Sequence, residues 1–342
     1  MTLQREKLQL ITLPTPLTYL KTVSEELGIQ LYLKRDDLTD FGTGGNKLRK
    51  LEYLAKDALD QGATMLLTVG GAQTNHGRLT GAVAAKLGLK AAIVAVDPYP
   101  GELSANLLLD GIMGCPVYLV KEDGVHTSDQ LQDMAVEKVT RQWEEQGEKV
   151  YFIPTGGSNE LGMLGYYDCA LELAQQTETL GLQDVRVVST VGSLGTYMGL
   201  AVAIKNEQLP LRLTGIAILP FEEGVKKAAA DYFARVKAFH QLDIDMKEED
   251  FDLTSDYDRG EYNNPVREVR EAIYYMGRKE GIILDPCYTG KTFAAILEMV
   301  KSGEIRQGET VIMLHTGGVP GIYTKHHRVE MERELEEYIH II

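Results

Sequence analysis

Three cysteines, Cys115, Cys169 and Cys287, are spread over 342 residues with no CxxC pair and no Cys/His cluster. That spacing excludes a disulfide framework and a structural zinc, and it suits a reducing compartment. Positive charge is also short, with 35 Lys and Arg against 50 Asp and Glu, a net charge of −15. Sequence-independent nucleic-acid binding and attraction to anionic membrane surfaces are therefore not expected. No apolar run reaches membrane-spanning length, and Met1 to Lys7 lacks the apolar core of a signal peptide. A cytoplasmic soluble protein is the expectation. The carboxylates show no metal-ligand spacing, so no metal is expected, and no Ser/His/Asp order stands out. Internal repeats, low-complexity segments and linkers are absent too, so any domain boundary has to come from topology.

What is present is an ample core. Hydrophobic residues make up 44% of the chain and charged residues 25%. At this length two domains, or one large α/β unit, is the prior. Ile29–Lys34 alternates as a strand and leads into a glycine-rich loop, followed by a helix from Lys47 to about Leu59. Apolar runs at Met65–Val69, Ala91–Val96, Val117–Val120 and Val150–Ile153 read as strands. Helices alternate with them near Gly77–Leu87, Leu103–Met113 and Thr127–Gln146. A second sheet begins at Val185–Thr190 and continues through Leu213–Ile218, Ile282–Leu284 and Val311–Leu314. Helices are expected around Thr18–Leu27, Gly162–Gln176 and Pro265–Glu280, with helix-like stretches near Gly224 and Glu248. A charged, mostly helical tail follows Thr324. Strand, loop and helix in repetition is the signature of parallel sheets with helices on both faces.

The stretch from Asp36 to Glu52 carries the first chemistry. Gly42, Gly44 and Gly45 precede Asn46-Lys47, where a helical face of Leu48, Leu51 and Leu54 begins. Lys47 thus meets unpaired backbone N–H groups at the positive end of a helix, which favours its neutral amine. A neutral lysine amine can form a Schiff base with an aldehyde such as pyridoxal phosphate (PLP). On this stretch alone, a surface lysine opening a helix after a flexible loop is the plainer reading. Gly192-Ser193-Leu194-Gly195-Thr196 follows a strand and offers close backbone approach and two hydroxyls to a phosphate. An ordinary strand–helix turn fits it equally well.

Two better-known glycine motifs fail. Gly42-x-Gly44 is followed by Lys47 where a dinucleotide fingerprint needs glycine. Gly290-Lys291-Thr292 ends like a nucleotide-binding loop, but Asp285 stands where its first glycine belongs. Tyr288, between a strand and a helix, suits an acid/base role or a half-buried packing role. Thr316 after His315 suits a hydrogen bond to a ring nitrogen or a satisfied turn. His76 suits a base, a ligand or a structural position.

Together these segments resemble one family. Gly44-Gly45-Asn46-Lys47-Leu48-Arg49-Lys50-Leu51-Glu52, Gln73-Thr74-Asn75-His76-Gly77-Arg78, Asp285-Pro286-Cys287-Tyr288-Thr289-Gly290-Lys291 and Leu314-His315-Thr316-Gly317-Gly318 are similar, in the same order, to the loops of the 1-aminocyclopropane-1-carboxylate deaminase / D-cysteine desulfhydrase group. The resemblance spans nearly the whole chain. It implies PLP as cofactor and PLP fold type II, the tryptophan-synthase-β-like α/β fold with two open, twisted, mostly parallel sheets flanked by helices. It implies a large domain of residues 1–47 and 161–342, a small domain of residues 48–160, and a homodimer. Lys47 becomes the Schiff-base lysine and proton shuttle, Tyr288 a second acid/base group, and Thr74 the third catalytic residue. Asn75 bonds the cofactor ring oxygen, Gly192, Ser193, Leu194, Gly195 and Thr196 hold the phosphate, and Thr316 faces the ring. Thr74, Asn75, His76, Tyr288 and Thr289 face a small amino-acid substrate.

Deaminases of the group place Glu after the tyrosine and Leu after the last histidine. Thr289 and Thr316 here resemble the desulfhydrase side, implying α,β-elimination of a β-substituted D-amino acid, D-cysteine first. A carboxylate at the ring nitrogen makes a strong electron sink, whereas a hydroxyl suffices for a good leaving group such as thiolate. Cyclopropane deamination, a sulfo-lyase activity on cysteate and a non-catalytic PLP-binding protein are the alternatives. Thr74 replaces a common serine and Cys287 a common aliphatic, both near the expected substrate space.

Overall fold

A computed structural model describes residue 3 and residues 5–342. The chain folds around two sheets that carry helices on both faces. Strands β1 (Leu17–Tyr19) and β2 (Gln30–Arg35) start the larger sheet. The chain then crosses to β3 (Met65–Gly70), β4 (Lys90–Ala95), β5 (Val117–Leu119) and β6 (Val150–Ile153), and returns through β7 (Val185–Val191), β8 (Leu211–Ala217), β9 (Leu253–Thr254) and β10 (Thr310–His315). The six-stranded sheet has the order β1-β2-β10-β7-β8-β9, with only the β1–β2 pair antiparallel. The four-stranded sheet, β5-β4-β3-β6, is wholly parallel and lies within residues 48–160.

The central strands read as continuous apolar runs because both of their faces are covered. All six residues of β10 are buried. One face of the large sheet packs on α6 (Leu164–Thr179), α7 (Gly195–Asn206) and α8 (Val225–His240). The other face packs on α1 (Lys21–Leu27), α9 (Arg267–Glu280) and α10 (Thr289–Ser302). In the small sheet, α2 (Lys47–Asp60) and α3 (Asn75–Leu87) cover one face and α5 (Ser128–Glu144) the other. Thr127 caps α5 with a reciprocal capping box to Gln130, which fixes its start.

Three expectations change. Ile282–Leu284 is not a strand: both edges of β10 are already taken by β2 and β7, so the segment has no ladder to join. Ile283 is exposed, and the segment delivers Asp285 to the start of α10. The stretch near Glu248 is a single 3-10 turn, Glu248–Asp250. The first helix starts only at Lys21, because Leu17–Tyr19 pairs with β2 as a short edge strand.

Candidate active site

The loop before Lys47 is clasped at both ends. Asp36 and Arg49, both buried, make a two-pronged contact, Nε to Oδ2 and Nη2 to Oδ1, each 2.9 Å. Burial alone would raise the Asp36 pKa, but the guanidinium outweighs it and holds the carboxyl below its usual range. Gly44 has a φ of 69°, and a Cβ there would overlap the Asp37 carbonyl oxygen, so only glycine fits. Asn46 then anchors the helix entrance to two distant segments. Its N–H donates to Thr316 O at 3.0 Å and its Nδ2 to Thr196 Oγ1 at 3.0 Å. Its Oδ1 accepts from Lys47 Nζ at 3.0 Å. Desolvation in the cleft, then the positive charge of Arg78, bring the Lys47 pKa down to about 8.

Lys47 opens onto a two-lobed cleft at the carboxyl ends of β3, β7 and β10, where open parallel sheets bind ligands. The inner lobe, about 390 Å³, is bordered by Lys47, Thr74, Asn75, His76, Gly192, Ser193, Leu194, Thr196, Tyr288 and Thr316. The outer lobe, about 690 Å³, shares Gly71, Thr74, Asn75, Tyr262 and Tyr288 with it. Of the residues singled out by sequence, Gly195 and Thr289 do not line either lobe.

Gly195 lies beneath the inner lobe. Leu194 takes a left-handed φ of 63°, and the Gly195 N–H donates to Ser193 O at 2.8 Å. A Cβ on Gly195 would come 2.8 Å from Lys50 Nζ. Lys50 was missed in the sequence, although it lies one turn beyond Lys47 on the same helix. Its buried Nζ donates to Gly156 O at 3.1 Å and Ser158 Oγ at 3.0 Å, and Ser158 Oγ in turn meets Ser193 Oγ at 2.7 Å. Among the described residues no carboxylate pairs with it. Burial, then the charge of Lys47, push its pKa well below the lysine value. A buried amine without a counter-anion, beside a helix N-terminus, is a place for a phosphate.

Asn75, the first residue of α3, has a determined amide orientation. Its Oδ1 accepts from Arg78 Nη1 at 2.9 Å and from Asn106 Nδ2 at 3.0 Å. Arg78 is donor-only, so the Asn75 amide NH₂ is the end left for the cleft. Arg78 also donates to Gly44 O at 2.9 Å, tying this helix to the lysine loop. Thr74 spends its hydroxyl on capping α3, accepting from Gly77 N at 3.2 Å. His76 is buried with both ring nitrogens unpartnered among the described residues, and burial followed by the charges of Lys47 and Lys50 keep it neutral.

Tyr288 stands at the start of α10. Asp285 accepts from the N–H groups of Cys287 (2.9 Å), Tyr288 (2.9 Å) and Thr289 (2.7 Å), a cap that fixes the tyrosine's backbone. Thr289 serves the same cap: its hydroxyl donates to Asp285 Oδ1 at 2.7 Å and accepts from Asp285 N at 2.8 Å. Fully buried, it faces Asp285 and not the cleft. Tyr262 was also missed; its hydroxyl hydrogen-bonds that of Tyr288, the rings meeting edge-on at 6.0 Å. Desolvation raises both phenol pKa values well above the ordinary one.

Comparison with known proteins follows this geometry. The model of the family described as "Pyridoxal-phosphate dependent enzyme" matches residues 8–317. The chain belongs to that family. It is 39% identical over 320 residues to a Pyrococcus furiosus protein named "Putative 1-aminocyclopropane-1-carboxylate deaminase", covering 93% of each chain. It is 38% identical over 339 residues to the D-cysteine desulfhydrase of Serratia proteamaculans, covering 95% of this chain and 98% of that one. A crystal structure of an ACC deaminase homologue superposes with a TM-score of 0.83 at 36% identity, covering 98% of this chain and 96% of the other. The protein is thus a PLP-dependent enzyme of the deaminase/desulfhydrase group with the type II fold. The Lys50 amine, with no carboxylate partner, and the His76 ring, with no hydrogen-bond partner among the described residues, are buried polar groups that fit a phosphorylated pyridine. Among the described residues no helix is long and apolar enough to cross a membrane, and no cluster of His, Cys, Asp or Glu could hold a metal.

Proposed function

We propose that the enzyme eliminates the β-substituent of a small D-amino acid, D-cysteine above others, giving pyruvate, sulfide and ammonia with uptake of one water. PLP supplies the electron sink for a carbanion at the substrate α-carbon. The observation that carries the choice of substrate is that, among the described residues, no Asp or Glu lines the inner lobe. Thr190 and Thr316 bring hydroxyls there instead. A pyridine nitrogen facing hydroxyls stays largely neutral, which is enough to expel thiolate and a poor basis for opening a cyclopropane.

Lys47 would hold the cofactor and, with its pKa near 8, carry the α-proton at neutral pH. Lys50, Ser193, Gly195 and Thr196 would hold the phosphate, and the NH₂ of Asn75 the ring oxygen. Backbone N–H groups at the start of α3, beside Thr74 and His76, would receive the substrate carboxylate. Tyr288, kept protonated by burial and hydrogen-bonded to Tyr262, is the acid that shares the inner lobe with Lys47. A large domain of residues 1–47 and 161–342, a small domain of 48–160 and a homodimer complete this reading.

The test is to give the PLP-loaded enzyme D-cysteine, L-cysteine, β-chloro-D-alanine, cysteate and the cyclopropane amino acid, and to measure pyruvate and 2-oxobutanoate. D-Cysteine should give the most pyruvate. Pyruvate from none of the β-substituted substrates would sink the proposal, and 2-oxobutanoate would assign the deaminase. Lys47→Ala should lose the visible absorbance of bound PLP.

A further inference from the structure

The Gly290-Lys291-Thr292 segment, a failed nucleotide loop, has another occupation. Lys291 lies in the first turn of α10 and is fully buried. Its Nζ donates to three backbone carbonyls: Ile218 O at 2.8 Å, Asp258 O at 2.8 Å and Glu261 O at 2.7 Å. An ammonium has three N–H donors and no acceptor, so this cage uses all of them. A neutral amine has only two hydrogens and would leave one buried carbonyl unpaired. Three carbonyl oxygens around one positive centre are also the donor set that strips water from a monovalent metal ion.

The carbonyls come from the end of β8 and from the loop that carries Tyr262. That loop contains Arg259, Gly260 and Asn263 at φ values of 66°, 84° and 60°. Two of these are non-glycine residues in the left-handed region, which persists only where surrounding contacts over-determine it. Those contacts are external: Arg259 reaches Glu298 at 2.6 Å, and His326 and His327 reach Asn263 at 3.0 and 2.7 Å. Lys291 grips the loop from inside, at the residue just before Tyr262. Tyr288, the partner of Tyr262, immediately precedes the helix that bears Lys291. One helix start therefore sets both tyrosines.

We propose that Lys291 is a positioning residue, its tethered ammonium taking the place of a monovalent metal ion as the organising cation of the Tyr262 loop. Its role at the cleft rests on the elimination chemistry proposed above; the cage itself does not. Lys291→Ala, loaded with PLP, should keep the visible absorbance and lose turnover by about tenfold or more, because the tyrosine pair is no longer held in place. Propylammonium, which replaces the missing atoms, or potassium should restore most of it, and tetramethylammonium should not. In the cofactor-free protein, the melting temperature of Lys291→Ala should rise with propylammonium or potassium concentration while the wild type stays unmoved. A folded Lys291→Ala with wild-type turnover, or one whose melting temperature and turnover answer to no cation, overturns the proposal. Should Lys291→Ala not fold, Lys291→Met keeps the volume of the stem: lost turnover with intact PLP absorbance supports the proposal, unchanged turnover refutes it. If wild-type enzyme turns over none of the five substrates, the elimination reading fails, and the melting series still decides the cage.

Discussion

Asp110 is a carboxylate in the wrong place for stability. It sits on α4 (Ala105–Ile112), fully buried, with neither oxygen hydrogen-bonded among the described residues. Desolvation raises its pKa from 3.8 to about 7, and the charge of Arg78 only partly opposes the rise. Because the folded value lies above the unfolded one, the folded state binds the extra proton between these limits. Stability is then greatest at acid pH and falls as pH rises from about 4 through 7. A displacement of about three units corresponds to ~4 kcal/mol in all, of which roughly 2.5 kcal/mol is lost between pH 5 and pH 8. Asp110→Asn removes that titration. Any cost of burying the amide is independent of pH, so the difference between the proteins should shift by ~2.5 kcal/mol in favour of the variant over the same interval. Urea denaturation followed by Trp143 suits the measurement, since this only tryptophan packs on the small sheet whose opposite face carries α3. Parallel pH profiles for the two proteins would refute the assignment.

Three further outcomes concern the cleft. Lys50→Met should weaken PLP binding by about 1.5–3 kcal/mol, the worth of hydrogen bonds to a charged group, read from an absorbance titration. Wild type should also take up more protons on loading than the variant does, as the phosphate opposes the lowering of the Lys50 pKa by burial; equal uptake by the variant would contradict this. Tyr288→Phe should cut elimination about 10²–10⁴-fold with PLP absorbance unchanged, whereas a mere packing residue would leave turnover near wild type.

Much of the fold was legible because its signals are local. Buried strands such as Met65–Gly70 and Thr310–His315 are mostly apolar runs, and their ends mark the cleft. Lys47 and Ser193 stood out for the same reason, each beginning or preceding a helix after a glycine signal, whereas Asn75 entered only through the family resemblance. Lys50 was hidden because its burial depends on Gly156 and Ser158, which arrive from over a hundred residues away. Tyr262 lies in an irregular, charged loop with no periodicity to read. Its position depends on Lys291, whose glycine-lysine motif reads in the sequence only as a nucleotide loop, and that reading fails. Ile282–Leu284 shows the converse error, an apolar run beside β10, whose two edges are already paired with β2 and β7.

The two threonines that suggested a desulfhydrase carry unequal weight once their hydroxyls are traced. Thr289 is committed to Asp285 in both directions, so it acts only by not being a carboxylate. Thr316 borders the inner lobe, and its carbonyl also anchors Asn46 beside Lys47. Asp285, followed by Cys287, raises the Lys47 pKa against burial and Arg78. Yet three backbone N–H groups and a hydroxyl already occupy that carboxylate, so it has little left to offer a pyridine nitrogen. The negative charge therefore moderates the lysine without strengthening the electron sink. A site built this way suits a substrate whose own leaving group takes up the electrons, and a β-thiol does so more readily than a ring carbon.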